Sequence, residues 1–230
     1  MALEWFVGKD VFIDSIALVV LLLIAFFATR YYTLKKSRNY LFLALSFYSL
    51  ALAFLSKILI NFTISYRVLH TEVVGSMQYA QVITQSSEIL EISGTLFYRL
   101  FTLFGLFLLY SIYEKQSKAN VLMMVYLLAV AALFSKDQYP LHYLFYLTCF
   151  LFFFIISNRY YQNYRENSEK TTKMLAVSFS VITLSQLLFM LRAFAKSFYV
   201  AGEIVQLIGY ISLLATFIMV LKHGRKKNKN

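Results

Sequence analysis

Proline and cysteine are almost missing from this chain: 230 residues hold one of each, with only seven glycines. So few breakers exclude a turn-rich fold and leave room for long, uninterrupted helices. The lone cysteine, Cys149, excludes an intrachain disulfide. With Leu147, Phe150 and Leu151 beside it, it reads as an inert packing residue. Acidic charge is scarce too, 11 side chains against 22 Lys and Arg. A net charge of +11 suits nucleic acid only when it gathers on one face. Here the basic residues are spread between apolar stretches, so no nucleic-acid partner is expected.

Apolar surface is what the chain has in abundance. Hydrophobic residues make up 60% and the mean hydropathy is +0.66, above the range of soluble domains, which points to lipid as the solvent. The 18 Tyr and 23 Phe suit helix ends anchored at headgroups. A span needs about 20 apolar residues. The pattern predicts an all-α membrane protein, a single domain over 1–230. Its seven transmembrane helices fall near 11–29, 40–60, 92–113, 121–134, 141–157, 174–191 and 200–221. The fourth is the shortest. Pro140 suits the start of the fifth helix.

Basic residues fill every second gap. Arg30, Lys35, Lys36 and Arg38 occupy the first, Lys115 and Lys118 the third, and Arg159, Arg165, Lys170 and Lys173 the fifth. The tail, 222–230, adds Lys222, Arg225, Lys226, Lys227 and Lys229, with affinity for anionic lipid. Acidic groups lie toward the other side, among them Glu4, Asp10, Glu72, Asp137 and Glu203. Short basic loops stay in the cytoplasm, which predicts an outside N-terminus, a cytoplasmic C-terminus and a place in the plasma or cytoplasmic membrane. The leader lacks a basic n-region, so the first apolar stretch reads as a retained helix, not a signal peptide.

The gap 61–91 is long. Residues 62–68 alternate in the strand manner, Gly75-Ser76 could turn, and 77–84 could return as a second strand. The other reading has two membrane helices projecting outward and meeting at Gly75. Either way it is the main external feature. Asn61-Phe62-Thr63 fits a glycosylation sequon on that side.

Ionisable groups inside spans are costly, so they are the best functional pointers. Counting 1.5 Å per residue from the basic ends places Asp14, Arg99, Gln186 and Gln206 in the outer half. Lys57, Glu91, Arg192 and Glu203 come near the outer interface. Glu88, Glu91, Thr95, Arg99 and Thr102 form one helical stripe. Glu203, Gln206 and Tyr210 form another, with Gly202 and Gly209 allowing close approach. Ser178, Ser185 and Arg192 stand a heptad apart. These stripes suggest an outward vestibule whose ligand-binding residues are Arg99, Gln186, Glu203, Gln206, Asp14 and Glu91. Arg99 could equally sit in a buried network joining the third, sixth, seventh and first helices.

In topology and helix number the chain resembles microbial rhodopsins and other seven-helix receptors. A retinal Schiff base requires a lysine midway along the seventh helix, and 200–221 has none; the third span offers no aspartate counter-ion. Triple-helix-repeat sugar transporters use helix-kinking prolines, and the one proline here falls in a gap. An external metal site from His70, His142, Glu72, Glu88 and Glu91 matches no ligand spacing. No catalytic constellation is legible, so no enzyme and no cofactor are expected. The reading is a receptor-like or sensory module coupled to a cytoplasmic partner. The alternatives are a small-solute or ion transporter, or a non-catalytic subunit of a membrane complex.

Overall fold

The computed structural model describes the backbone of residues 9–73, 77–112, 118–133, 139–195 and 197–227. It describes their side chains apart from 63–73, 77–88, 118–121, 131–133, 139–142, 193 and 221–227. Its α-helices are α1 (Lys9–Lys35), α2 (Arg38–Val73), α3 (Met77–Ser111), α4 (Lys118–Leu133), α5 (Tyr139–Asn167), α6 (Lys170–Met190) and α7 (Ser197–Lys227). A short 3-10 turn, Leu191–Ala193, follows α6. The chain is therefore an all-helical protein, and six of the helices are long and apolar enough to cross a membrane. The exception is α4. At 16 residues it is about 24 Å long, short of a ~30 Å hydrocarbon core.

Of the two readings of 62–84, the strand pair is absent from the described residues. Helix α2 continues to Val73 and α3 starts at Met77, in line with the reading of two long helices. The alternation was an accident of mixed apolar and polar residues on continuing helices, and without a facing sheet a lone hairpin gains little. Gly75 itself lies outside the described residues. The basic tail is not separate either: α7 runs on to Lys227. Pro140 is the second residue of α5, where its missing N–H costs no helical bond.

The helices order large and small residues in the lipid manner. Helix α1 buries Ala17, Leu21, Ile24, Ala25 and Ala28 and exposes Phe12, Val19, Leu22, Leu23 and Phe26. Small residues let backbones approach where lipid tails are as apolar as leucine. Other helices also expose large apolar side chains, including Leu122, Val125, Phe154 and Ile208, and such a surface fits a multi-pass integral membrane protein.

Two sets of three helices make up the bundle. In the first, α1 and α2 form a hairpin and α3 packs on α2; in the second, α5 and α6 form a hairpin and α7 packs on α6. Serines and glycines join each set. Ser46 and Ser49 of α2 donate to the Gly105 and Phe101 carbonyls of α3, both at 2.7 Å. Ser157 of α5 donates to the Ala176 carbonyl at 3.1 Å, and Ser178 of α6 pairs with Ser212 of α7 at 2.8 Å. A Cβ on Gly105 would lie 3.0 Å from the Ser46 oxygen, and one on Gly209 would lie 2.5 Å from Ile182 Cγ1. The sets meet where α1 touches α7 and where α3 touches α5, while α4 leans chiefly on α3.

Candidate functional site

At the seam between α1, α2 and α7 lies a buried ion triad. The Lys57 ammonium of α2 donates to Asp14 Oδ1 of α1 at 2.8 Å and to Glu203 Oε1 of α7 at 2.6 Å. Asn61, one turn beyond Lys57, reaches the other Asp14 oxygen at 3.3 Å. The carboxylate side chains are 0% and 1% exposed, and that of Lys57 is 14% exposed. Both acids are closed off from the surroundings and Lys57 keeps one edge open. Burying charge is tolerable only with such partners.

Each side chain arrives through its helix. Asp14 falls on the buried face of α1 with Ala17 and Leu21, a one-and-two-turn spacing. Lys57 lies about 19 residues after the start of α2, or about 28 Å along its axis, near the far edge of a ~30 Å core. Glu203 starts a buried stripe continued by Gln206 and Tyr210. Gln206 donates to the Tyr210 hydroxyl at 3.5 Å. Tyr210 meets the Phe54 ring edge-on at 5.5 Å, and Phe54 lies 5.6 Å from the Lys57 ammonium.

Beside the triad runs an aromatic chain. Tyr98 of α3, Phe145 and Tyr146 of α5, Phe189 of α6 and Tyr199 of α7 contact one another in that order, with centroids 5.2 to 5.8 Å apart. A guanidinium sits near each end: Arg99 over Phe145 at 5.8 Å and Arg192 over Tyr199 at 5.4 Å. Such cation–π contacts stabilise a cation where water is scarce. Tyr98, Tyr146, Tyr199 and Tyr210 all lie within electrostatic reach of Lys57.

The residues expected from sequence divide accordingly. Asp14 and Glu203 are brought together. Arg99, Gln186 and Gln206 are buried, each in a different local setting: Arg99 on Phe145, Gln206 on Tyr210, and Gln186 donating to Ser185 at 3.2 Å. Glu91 is half-buried one helical stretch above Arg99, and Arg192 is exposed, because the 3-10 turn ends the α6 stripe before it. The network joining helices holds α1, α2 and α7, and its centre is Lys57. Sequence reasoning placed that lysine at the interface and left it out of the site. Its depth in α2 and its spacing of one turn from Asn61 were the signals available. The anchors Arg30, Lys35, Lys36 and Arg38 are exposed around the first turn. The side chains of Lys222, Arg225, Lys226, Lys227, Glu72, Glu88, His70 and His142 lie outside the described residues.

Chemically, the triad can exchange ion-pair partners, bind a cation or proton, and tie or release α7. Compared with protein-family models, curated proteins and solved structures, the chain has no match in any of the three.

Proposed function

We propose that the chain is a receptor-like or sensory membrane protein of seven spans, N-terminus outside, C-terminus in the cytoplasm. It takes a small ligand or a partner from the outer side, at the seam around Asp14, Lys57 and Glu203. It passes a helix shift to a cytoplasmic partner at the basic turns. The orientation follows from the basic residues of alternate gaps. As a seventh span, α4 requires a locally thinned bilayer, an ordinary adjustment to mismatch.

One observation carries the reading: a single ammonium holds α1 and α7 together through two carboxylates, at 2.8 and 2.6 Å. Those helices are distant in sequence, so a ligand that competes for either carboxylate changes how the ends of the chain pack. A ligand shifts such an equilibrium only by its differential affinity for the two arrangements. Apart from Arg99, Gln186 and Gln206, the other described buried polar groups are hydroxyls, such as Ser178 on the Met174 carbonyl and Thr216 on that of Ser212. Toward the basic end they offer no charged path.

A transporter is the second reading, favoured by two three-helix sets with polar groups at their seam. Native-membrane pull-down with mass spectrometry, paired with solute uptake into proteoliposomes, separates the readings. The receptor reading expects a cytoplasmic protein that is recovered with the intact chain and lost when Lys35, Lys36 and Arg38 are replaced by alanine. Solute uptake abolished by Lys57→Met would establish the transporter instead. Recovery of other membrane proteins, insensitive to Lys57→Met, would mark a structural subunit.

A further inference from the structure

Two carboxylates share one ammonium in the triad, and the count of charges does not close. With all three groups ionised the cluster carries one surplus negative charge, held by side chains 0% and 1% exposed. A net charge in low dielectric is far more costly than a neutral hydrogen-bonded cluster. Paired carboxylates in one site resolve the same conflict by sharing a proton. We infer that the triad is a proton-binding site, with Asp14 taking the proton at Oδ2 and Asn61 turning its amide oxygen to accept it.

Geometry selects the acid. Glu203 and Asp14 each give one oxygen to the ammonium, at 2.6 and 2.8 Å, so the choice turns on the second oxygen. Among the described residues, the second oxygen of Asp14 accepts from the Asn61 amide, at 3.3 Å. An amide serves both states: its NH2 donates to a carboxylate, and its oxygen accepts from a carboxylic acid. The reaction is addition of one proton to Oδ2 with no bond broken, and its reverse returns the proton to water. The open edge of Lys57 is the route.

The surroundings are compatible with one proton. From its own helix, Asp10 adds negative charge toward Asp14. From α2 come Lys57 and Asn61, and from α7 come Glu203 and Tyr199. Tyr98 of α3 and Tyr146 of α5 face the Lys57 side of the cluster, while Arg99 lies over Phe145 and Arg192 over Tyr199. Lys57 is thus the one cation hydrogen-bonded to Asp14 among the described residues. The inference rests on the membrane reading alone and stands whether the chain is receptor, transporter or subunit.

The chain has three aspartates, Asp10, Asp14 and Asp137, which makes the proton directly observable. In an Asp10→Asn, Asp137→Asn variant grown on carboxyl-¹³C aspartate, Asp14 alone carries the label. Infrared difference spectra of this protein in neutral-lipid vesicles, between about pH 8 and about pH 5, are expected to gain an isotope-shifted carboxylic C=O band. Adding Asp14→Asn removes it. No isotope-shifted band in a folded, vesicle-inserted protein overturns the inference. So does a band that moves only when glutamate is labelled, since the proton would then reside on Glu203. Because the readout involves no ligand, solute or partner, its failure leaves the receptor reading untouched, and failure of that reading leaves this one.

Discussion

Lys57 is the residue on which the two ends of the chain depend. Removing one partner of a buried ion pair leaves the other charge uncompensated, which costs about 3–5 kcal/mol. Lys57→Met is therefore expected to lower stability by about that amount, read as the thermal melting of the purified protein in one detergent. The acids are not equivalent. Asn at position 14 mimics a protonated Asp14, whereas Gln at 203 removes the charge that Lys57 requires. Melting should fall less for Asp14→Asn than for Glu203→Gln, by about 1–2 kcal/mol; equal losses would contradict a proton residing on Asp14. Arg99 reads from sequence either as a ligand-binding group or as part of a buried network, and the structure sets it over the Phe145 ring. A guanidinium on an aromatic face gains from the ring whatever else it contacts, and no spacing rule in sequence reveals such a face.

At the scale of elements, two short basic turns repeat one device. Lys36 between α1 and α2 and Ser168 between α5 and α6 adopt left-handed backbone, φ 48° and 53°. Each donates its N–H four residues back, Lys36 to Tyr32 at 2.7 Å and Ser168 to Tyr164 at 2.8 Å, closing the helix as glycine usually does. An L side chain there costs about 1–2 kcal/mol. Ser168→Gly should therefore raise stability by about 1 kcal/mol, while Ser168→Val lowers it, both measurable as melting shifts. Because neither turn contains glycine, neither was visible as a hairpin closure in the sequence. Close helix contact gives the opposite sign: Gly209→Ala puts a carbon 2.5 Å from Ile182 and should cost about 1–3 kcal/mol by overpacking.

For the whole molecule, the decisive question is orientation. Cys149 is the sole cysteine and is 1% exposed, so an introduced cysteine can be labelled against a quiet background. With an outside N-terminus, Ser76→Cys reacts with an impermeant maleimide on intact cells and Ser168→Cys reacts only after permeabilisation. The reversed pattern would invert the membrane assignment and place the triad on the cytoplasmic side. The same experiment bears on α4, because the side on which Ser168 emerges depends on whether that 16-residue helix crosses. If it does not, Ser76 and Ser168 emerge on the same side.

Much of the architecture was legible without coordinates. Apolar run length marked all seven helices, since a span's length is set by bilayer thickness and needs no tertiary partner. The extension of α2 and α3 through 62–84 was ambiguous because a period-2 pattern can ride on a helix when nothing else constrains it. Which face of α1 turns inward was unreadable for a related reason: both faces are apolar, and only the contrast of Ala17, Ala25 and Ala28 against Val19, Leu22 and Phe26 hints at it. The sequence by itself determined the long apolar helices and the polar residues held within them, because these follow from local composition. Only the tertiary structure decided that Asp14, Lys57 and Glu203 meet while Arg99 turns to an aromatic ring. That meeting depends on the rotation of each helix and on α1 packing beside α7, and both are set by side-chain fit between segments far apart in the chain.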